Sequence, residues 1–200
     1  MFVEQVMTTP VITVTPETLA GPAWELLQEH HFRHLPVVRF GRLVGMVSDR
    51  DLRMARTLAE EPTVGDLGRA DVTTVERDTP VEEASRLMLE QKIGALPVVQ
   101  DGALVGIVTE SDLFRMLTWV MGVLEPSTRL QLELDDLTRQ LADVTRIAHE
   151  HHTPIVSLVT EPSPTGTARV VVLRVRTIAP EPLIRDLEAA GARVVGPVLV

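Results

Sequence analysis

Val98 to Leu113 reads VVQDGALVGIVTESDL, and this stretch decides the fold. Val98-Val99 and Leu104 to Val108 are apolar and rich in β-branched residues. Asp101-Gly102 between them signals a hairpin, because a two-residue turn of the right twist needs residues that tolerate positive φ. After Val108 the polarity switches to Thr-Glu-Ser-Asp and an apolar helical pattern begins, with Thr109 and Ser111 as N-cap candidates. The stretch is strand, turn, strand and helix start. A hydroxyl, a carboxylate and free backbone N–H groups meet at its corner, where Asp112 could hold a sugar and the N–H groups a phosphate. An ordinary capped helix uses the same residues, with the acid stabilising the helix N-terminus by about 0.3–1 kcal/mol.

The stretch occurs twice. Val37 to Leu52, VVRFGRLVGMVSDRDL, lies on it without a gap at an offset of 61 residues. The register holds back to Val11 and Val72, and 18 of the 42 positions from Val11 to Leu52 are identical to their counterparts. An ungapped match of that length marks a duplicated structural unit; one unit of this size would be marginal alone, whereas two can share a core. Val11-Ile-Thr-Val14 and Val72-Thr-Thr-Val75 read as short first strands. Thr18 and Thr79 are expected to open helices, with Leu19, Ala23, Leu26 and Leu27 on one face of the first and Val81, Ala84, Leu87 and Met88 on one face of the second. Leu35-Pro-Val-Val38 and Leu96-Pro-Val-Val99 begin the next strands, where a proline at the strand start is permitted. Each unit is expected to run β-α-β-β-α, over residues 1–61 and 62–124. Phe2 to Met7 and Val64 to Leu67 stand in equivalent places ahead of them.

The tail, residues 128–200, has its own order. Arg129 to Leu134 alternates as a strand, Asp135 to His152 is helical, Ile155 to Val159 is a strand, and Glu161 to Gly166 is a turn. Arg169 to Arg176 is a Val-rich strand, Pro182 to Ala190 a helix closed by Gly191, and Ala192 to Val200 a last strand. This βαββαβ order suits an antiparallel sheet with two helices on one face, a ferredoxin-like arrangement. The fold class is therefore α+β throughout.

The 200 residues carry 44% hydrophobic side chains, enough for a sizeable core, and a net charge of −9, which argues against a general nucleic-acid surface. No run of 18 apolar residues exists, so no membrane span is expected. MFVEQVMTTP lacks a basic region followed by an apolar core, so no signal peptide is expected and the protein is expected in the cytoplasm. The absence of cysteine removes disulfides, thiolate chemistry and Cys-based zinc sites. No Walker A loop, Gly-x-Gly-x-x-Gly run, His-Glu-x-x-His pair or nucleophile with a triad context occurs, so an enzyme is not expected. His149-Glu-His-His152 places His149 and His152 on one helix face, a possible chelate that a polar helix end explains as well.

Leu-Pro-Val-Val, the glycine hairpin and the motif Gly-apolar-apolar-Thr/Ser-x-x-Asp, present as Gly45-Met-Val-Ser48-Asp-Arg-Asp51 and Gly106-Ile-Val-Thr109-Glu-Ser-Asp112, resemble a pair of CBS domains, a Bateman module, over roughly residues 1–122. The tail resembles an ACT domain in element order, and the combination is similar to bacterial acetoin-utilisation accessory proteins. The resemblance implies a regulatory adenosine ligand (AMP, ADP, ATP or S-adenosylmethionine) in two clefts related by a pseudo-twofold axis, and no catalytic cofactor. It makes Asp51 and Asp112 ribose ligands, Ser48 and Thr109 contacts to phosphate or ribose oxygens, Arg50 and Ser111 helpers at the helix N-termini, and Met46 and Ile107 walls against adenine. It places Thr73, Ile93 and Gly94 with Asp51, and Ile12, Phe32, Arg33 and His34 with Asp112. The second cleft is then expected to take the more highly charged nucleotide. Where ACT domains usually carry Asp-x-x-Gly-x-Leu, this chain has Asp136-Leu-Thr-Arg139-Gln-Leu141; Arg139 blocks the close backbone approach a glycine allows. The tail is therefore expected to serve a homodimer, and the whole to signal to an effector protein. The alternative is a ligand-free interaction scaffold.

Overall fold

Both copies of the motif fold into hairpins. β1 (His34–Arg39) pairs antiparallel with β2 (Arg42–Ser48), and β3 (Ala95–Gln100) with β4 (Ala103–Thr109). The structure, a computed structural model, describes residues 1–55, 57–162 and 169–199. It divides into two units, Met1–Phe114 and Arg115–Val200. The expected turn at Glu161 to Gly166 lies mostly outside the described residues, as does Val200.

In the first unit the strand order is β1-β2-β4-β3, the hairpins meeting through one antiparallel register pair, Arg42 with Ala103. Phe40-Gly41 and Asp101-Gly102 close the hairpins with positive φ at both positions (51° and 77°, 52° and 78°), the geometry that favours Asp-Gly. Phe40 is 97% exposed, and a bulky side chain in the left-handed region costs on the order of 1–2 kcal/mol that Asp or Asn largely avoids. Phe40→Asp should therefore raise stability by about 1 kcal/mol. A urea midpoint no higher than that of the native chain would refute this.

The first strands expected at Val11 to Val14 and Val72 to Val75 do not form; each is a single parallel bridge, Val14 to Val37 and Val75 to Val98. Val14 N–H donates to the Pro36 carbonyl and Val38 N–H to the Val14 carbonyl (3.1 and 2.8 Å). Extending this ladder would need N–H groups on Pro36 upstream and Pro16 downstream, and neither proline has one. Pro97 imposes the same upstream stop beside Val75. The β-α-β-β-α expectation is thus corrected to bridge, helix, hairpin, helix. The helices α1 (Ala20–His30) and α4 (Val81–Gln91) start later than expected. Thr18 and Thr79 close the preceding turns instead, their hydroxyls accepting from Thr15 N–H and Glu76 N–H (3.1 and 3.0 Å). Leu19 is left exposed ahead of α1 while Ala23 and Leu27 are fully buried. Each hairpin feeds a helix, α2 (Asp49–Ala55) and α5 (Glu110–Val120); Gly122, with φ 65°, follows the end of α5.

The lead-in segments are exchanged between repeats. Val3, in a 3₁₀ turn (Val3–Gln5), is fully buried in the core of the second repeat with Val75, Ala84, Leu96, Val98 and Val108. Val64, in the short helix α3 (Val64–Leu67), is fully buried in the first core with Val14, Leu27, Leu35, Val37 and Val47. Backbone bonds repeat the exchange: Val3 N–H to Thr79 C=O and Glu4 N–H to Arg77 C=O (both 2.9 Å), against Val64 N–H to Thr18 C=O and Gly65 N–H to Pro16 C=O (2.7 and 2.8 Å). The segments then run on along the motif strands, Thr8 pairing with Ile107 and Arg69 with Met46. Gly45 and Gly106 make room for them: a Cβ on Gly45 would stand 3.0 Å from the Arg69 carbonyl oxygen, and one on Gly106 would collide with the Met7 sulfur.

The second unit contains β5 (Thr128–Leu134), α6 (Leu137–Glu150), β6 (Ile155–Pro162), β7 (Arg169–Val175), α7 (Glu181–Ala189) and β8 (Arg193–Leu199). Its sheet has the order β6-β7-β5-β8 with every pairing antiparallel. Leu130, Leu132, Leu134, Val171, Leu173 and Val175 form one core with Val144, Ile147, Leu183 and Leu187 of the helices. The βαββαβ order read from the sequence is the order observed. Gln140 is buried there too, its side-chain N–H donating to Gly191 C=O (2.8 Å) and its oxygen accepting from Asp136 N–H (2.9 Å).

Candidate functional site

Asp51 and Asp112 sit in matching local structures. Ser48 N–H and Oγ–H donate to Asp51 Oδ2 (3.0 and 2.6 Å), and Asp51 N–H donates back to Ser48 Oγ (3.3 Å). Thr109 and Asp112 repeat this at 2.9, 2.6 and 3.3 Å. This is a reciprocal capping box at a helix start, with Asp in place of Glu. Both bonds accepted by Asp51 fall on Oδ2, which leaves Oδ1 to accept from another donor. The backbone of the segment ahead of each hairpin meets these helix starts: Asp49 N–H donates to Arg33 C=O (2.9 Å) and Glu110 N–H to Gly94 C=O (3.1 Å).

A cavity of about 410 Å³ opens beside Asp51. The first repeat contributes His34, Met46, Ser48 and Asp51; the second contributes Val72, Thr73, Gln91, Lys92, Ile93 and Gly94, and its lead-in adds Arg69 and Asp71. Met46, Ser48, Asp51, Thr73, Ile93 and Gly94 are thus brought together. Arg50 and Ser111 are exposed on α2 and α5, and Arg50 does not line this cavity. On the other side, Asp112 is 6% exposed and carries Thr109 as its cap, while Ile107 is bridged by Thr8. Ile12 packs against the first core, and Phe32 stacks on His30 with ring centroids 5.3 Å apart.

His34, expected with Asp112, lines the cavity beside Asp51. In the β1–β2 register His34 stands opposite Ser48, and cross-strand partners share a face. A Cβ on Gly94 would lie 3.3 Å from His34 Cε1. Burial holds the His34 imidazole below the ordinary histidine value; Arg33 acts in the same direction, and the Asp49, Glu110 and Asp51 carboxylates oppose it. The fold therefore binds this proton less readily than the unfolded chain. Stability should fall as pH drops from about 6.5 toward the lowered value. His34→Gln should flatten that limb of the pH–stability curve in urea melts, and an unchanged slope would show that other groups set it.

Two basic residues of the cavity, Arg69 and Lys92, were not singled out from the sequence. Arg69 occupies the register of Thr8 under the 61-residue offset, and Lys92, the single lysine of the chain, directly precedes Ile93. Reading every position of the offset, rather than the shared motif alone, would have found them. They share the cavity with His34 and with the acidic Asp71, while Arg33 is the offset partner of Gly94. Among the described residues no group of three or more His, Cys, Asp or Glu side chains could hold a metal ion, and His151 instead pairs with Asp186 (2.7 Å). No helix among the described residues is long and apolar enough to cross a membrane.

The CBS domain pattern matches residues 3–57 and 64–118, reproducing the 61-residue offset. A CBS domain pair solved with 5′-methylthioadenosine and S-adenosyl-L-methionine is 30% identical, with a TM-score of 0.55 over 58% of this chain and 95% of that one. CBSX2 of Arabidopsis thaliana, solved with AMP, is 36% identical, with a TM-score of 0.52 over 58% of this chain and 95% of that one. A Vibrio cholerae protein named for acetoin utilization (AcuB) is 35% identical, with a TM-score of 0.55 over 58% of this chain and 90% of that one. The matched domains are the two repeats built around Asp51 and Asp112, and the chain belongs to the CBS domain family.

Proposed function

We propose that this protein is a regulatory module whose Asp51 cleft binds an adenosine-containing ligand. The observation that carries the reading is the cavity in which Met46, Ser48 and Asp51 of one repeat face Thr73, Ile93 and Gly94 of the other. In it Asp51 Oδ1 accepts from the ribose hydroxyls, Met46 and Ile93 wall the base, and Arg69 and Lys92 take a phosphate. A volume of about 410 Å³ lies near the lower end of the range for small-ligand sites, which favours a nucleoside monophosphate or a thioadenosine over a triphosphate. The ligands in the related CBS pairs are of this class.

A ligand held by both repeats biases their arrangement by its differential affinity for the two states. The C-terminal unit, ACT-like in its βαββαβ order, passes that bias to a homodimer or an effector. Its sheet ends in edge strands β6 and β8, which suit pairing with a second copy. Arg139 donates its N–H to Asp136 Oδ1 (3.1 Å) in an ordinary helix cap, so this turn serves the fold rather than an amino-acid ligand. The single lysine offers a direct test. AMP, ATP or S-adenosylmethionine should each be scored for protection of Lys92 from amine acylation, read by mass spectrometry. Protection by AMP supports the reading; protection by none of the three returns the chain to the interaction-scaffold reading.

A further inference from the structure

The sheet face of the second unit that turns away from α6 and α7 carries two adjacent arginines, with Glu133 and Glu161 further along the same face. β5 and β7 pair with Arg129 directly opposite Arg174, and β6 adds Ser157 opposite Arg174. Leu130, Leu158 and Leu173, the next residues along each strand, pack with the helices, so Arg129, Arg174 and Ser157 form a row on the other face.

Arg174 is 7% exposed, and among the described residues its side chain makes a single hydrogen bond, from Nη1 to Ser127 Oγ at 3.3 Å. Arg129 donates to its near neighbour Gln131 at 3.3 Å. Neither makes an ion pair among the described residues, whereas Arg176 pairs with Glu125 and Arg193 with Glu133. Like charges directly opposite on adjacent strands destabilise a sheet, and a buried charge without a counter-charge costs more. No fully buried side-chain nitrogen among the described residues lacks a hydrogen-bond partner, so the unbonded N–H groups of Arg174 are those that still reach solvent. The hydroxyls nearby are tied to a passing segment: Ser157 donates to Met121 C=O (2.7 Å) and Ser127 to Glu125 C=O (3.0 Å). Residues 121–127 thus border the row and limit access to it.

We infer that Arg129 and Arg174 form an anion site for a carboxylate or phosphate group, built wholly from the second unit. Two guanidinium groups side by side offer planar paired donors that match an oxyanion, and a bound anion relieves the repulsion between them. The site is independent of the adenosine cleft.

The test is thermal unfolding of the full chain in inorganic phosphate and, separately, acetate, against chloride at equal ionic strength. The inference expects a saturable stabilisation by at least one oxyanion above chloride. Saturation by phosphate alone marks a phosphate group as the ligand, and saturation by acetate marks a carboxylate. Arg174→Met should weaken half-saturation by about tenfold or more, the worth of one charged hydrogen bond. Arg129→Gln, at a less buried position, should do the same. Asp51→Asn should leave the anion response in place, which separates this site from the adenosine cleft. A wild-type response no greater than to chloride, or an unchanged half-saturation in both arginine variants, overturns the inference.

Discussion

Asp51→Asn should remove half or more of the stabilisation that an adenosine ligand confers, and Asp112→Asn should leave it standing. A ligand at about 100 times its dissociation constant stabilises a fold by about 2.7 kcal/mol. A hydrogen bond to an ionised carboxylate is worth about 1.5–3 kcal/mol, so losing one weakens binding roughly 10- to 150-fold. At the same ligand concentration the residual stabilisation is then about 0.3–1.4 kcal/mol. The substitution is mild for the fold, because the asparagine carbonyl still accepts from Ser48 N–H and Oγ–H, the two bonds that fall on Asp51 Oδ2. What it removes is the negative charge and one acceptor that the ribose hydroxyls would use. Thermal unfolding with AMP, ADP, ATP and S-adenosylmethionine measures the effect. If Asp112→Asn loses the shift while Asp51→Asn keeps it, the working cleft is the other one. The choice of Asp51 rests on the cavity beside it, which Arg69, Lys92 and His34 line.

The hairpins, the capped helix starts and the βαββαβ tail were legible in the sequence because each is local. Asp101-Gly102 needs its own backbone geometry, and Thr109 and Asp112 are three residues apart. The missing first strands were legible in principle: Pro16, Pro36 and Pro97 were in view as residues, but their effect appears only once Val14 is known to lie beside Val37 and Val75 beside Val98. His34 is a similar case. It adjoins Arg33 in sequence, yet its β1–β2 register sets it opposite Ser48 and so into the Asp51 cavity. The exchange of Val3 and Val64 had no periodic signal at all, since each stands in a segment too short to show one.

That exchange has the second large consequence. Deleting residues 1–8 should unfold or strongly loosen the second repeat, although the deleted residues adjoin the first in sequence. The deletion strips fully buried Val3 from the core of Leu96, Val98 and Val108, and with it Val6 and Met7, which pack against the same cluster. Fully burying a Val side chain contributes about 1.5–3 kcal/mol, and the partly buried Val6 and Met7 add to what Val3 alone supplies. That is a large share of the roughly 5–15 kcal/mol that holds a domain together. The Val3–Thr79, Glu4–Arg77 and Thr8–Ile107 backbone bonds go with them. The milder Val3→Ala should cost about 2 kcal/mol through two lost methyl groups and the space they leave. Its mirror, Val64→Ala, should act on the first core. Amide hydrogen exchange separates the two: Val3→Ala should speed exchange at Leu96, Val98 and Val108 before Leu35, Val37 and Val47, and Val64→Ala should reverse that order. Equal acceleration in both cores from either variant would mean that the repeats open as one cooperative body. A ligand held between them would then act on a single unfolding unit rather than on the balance between two.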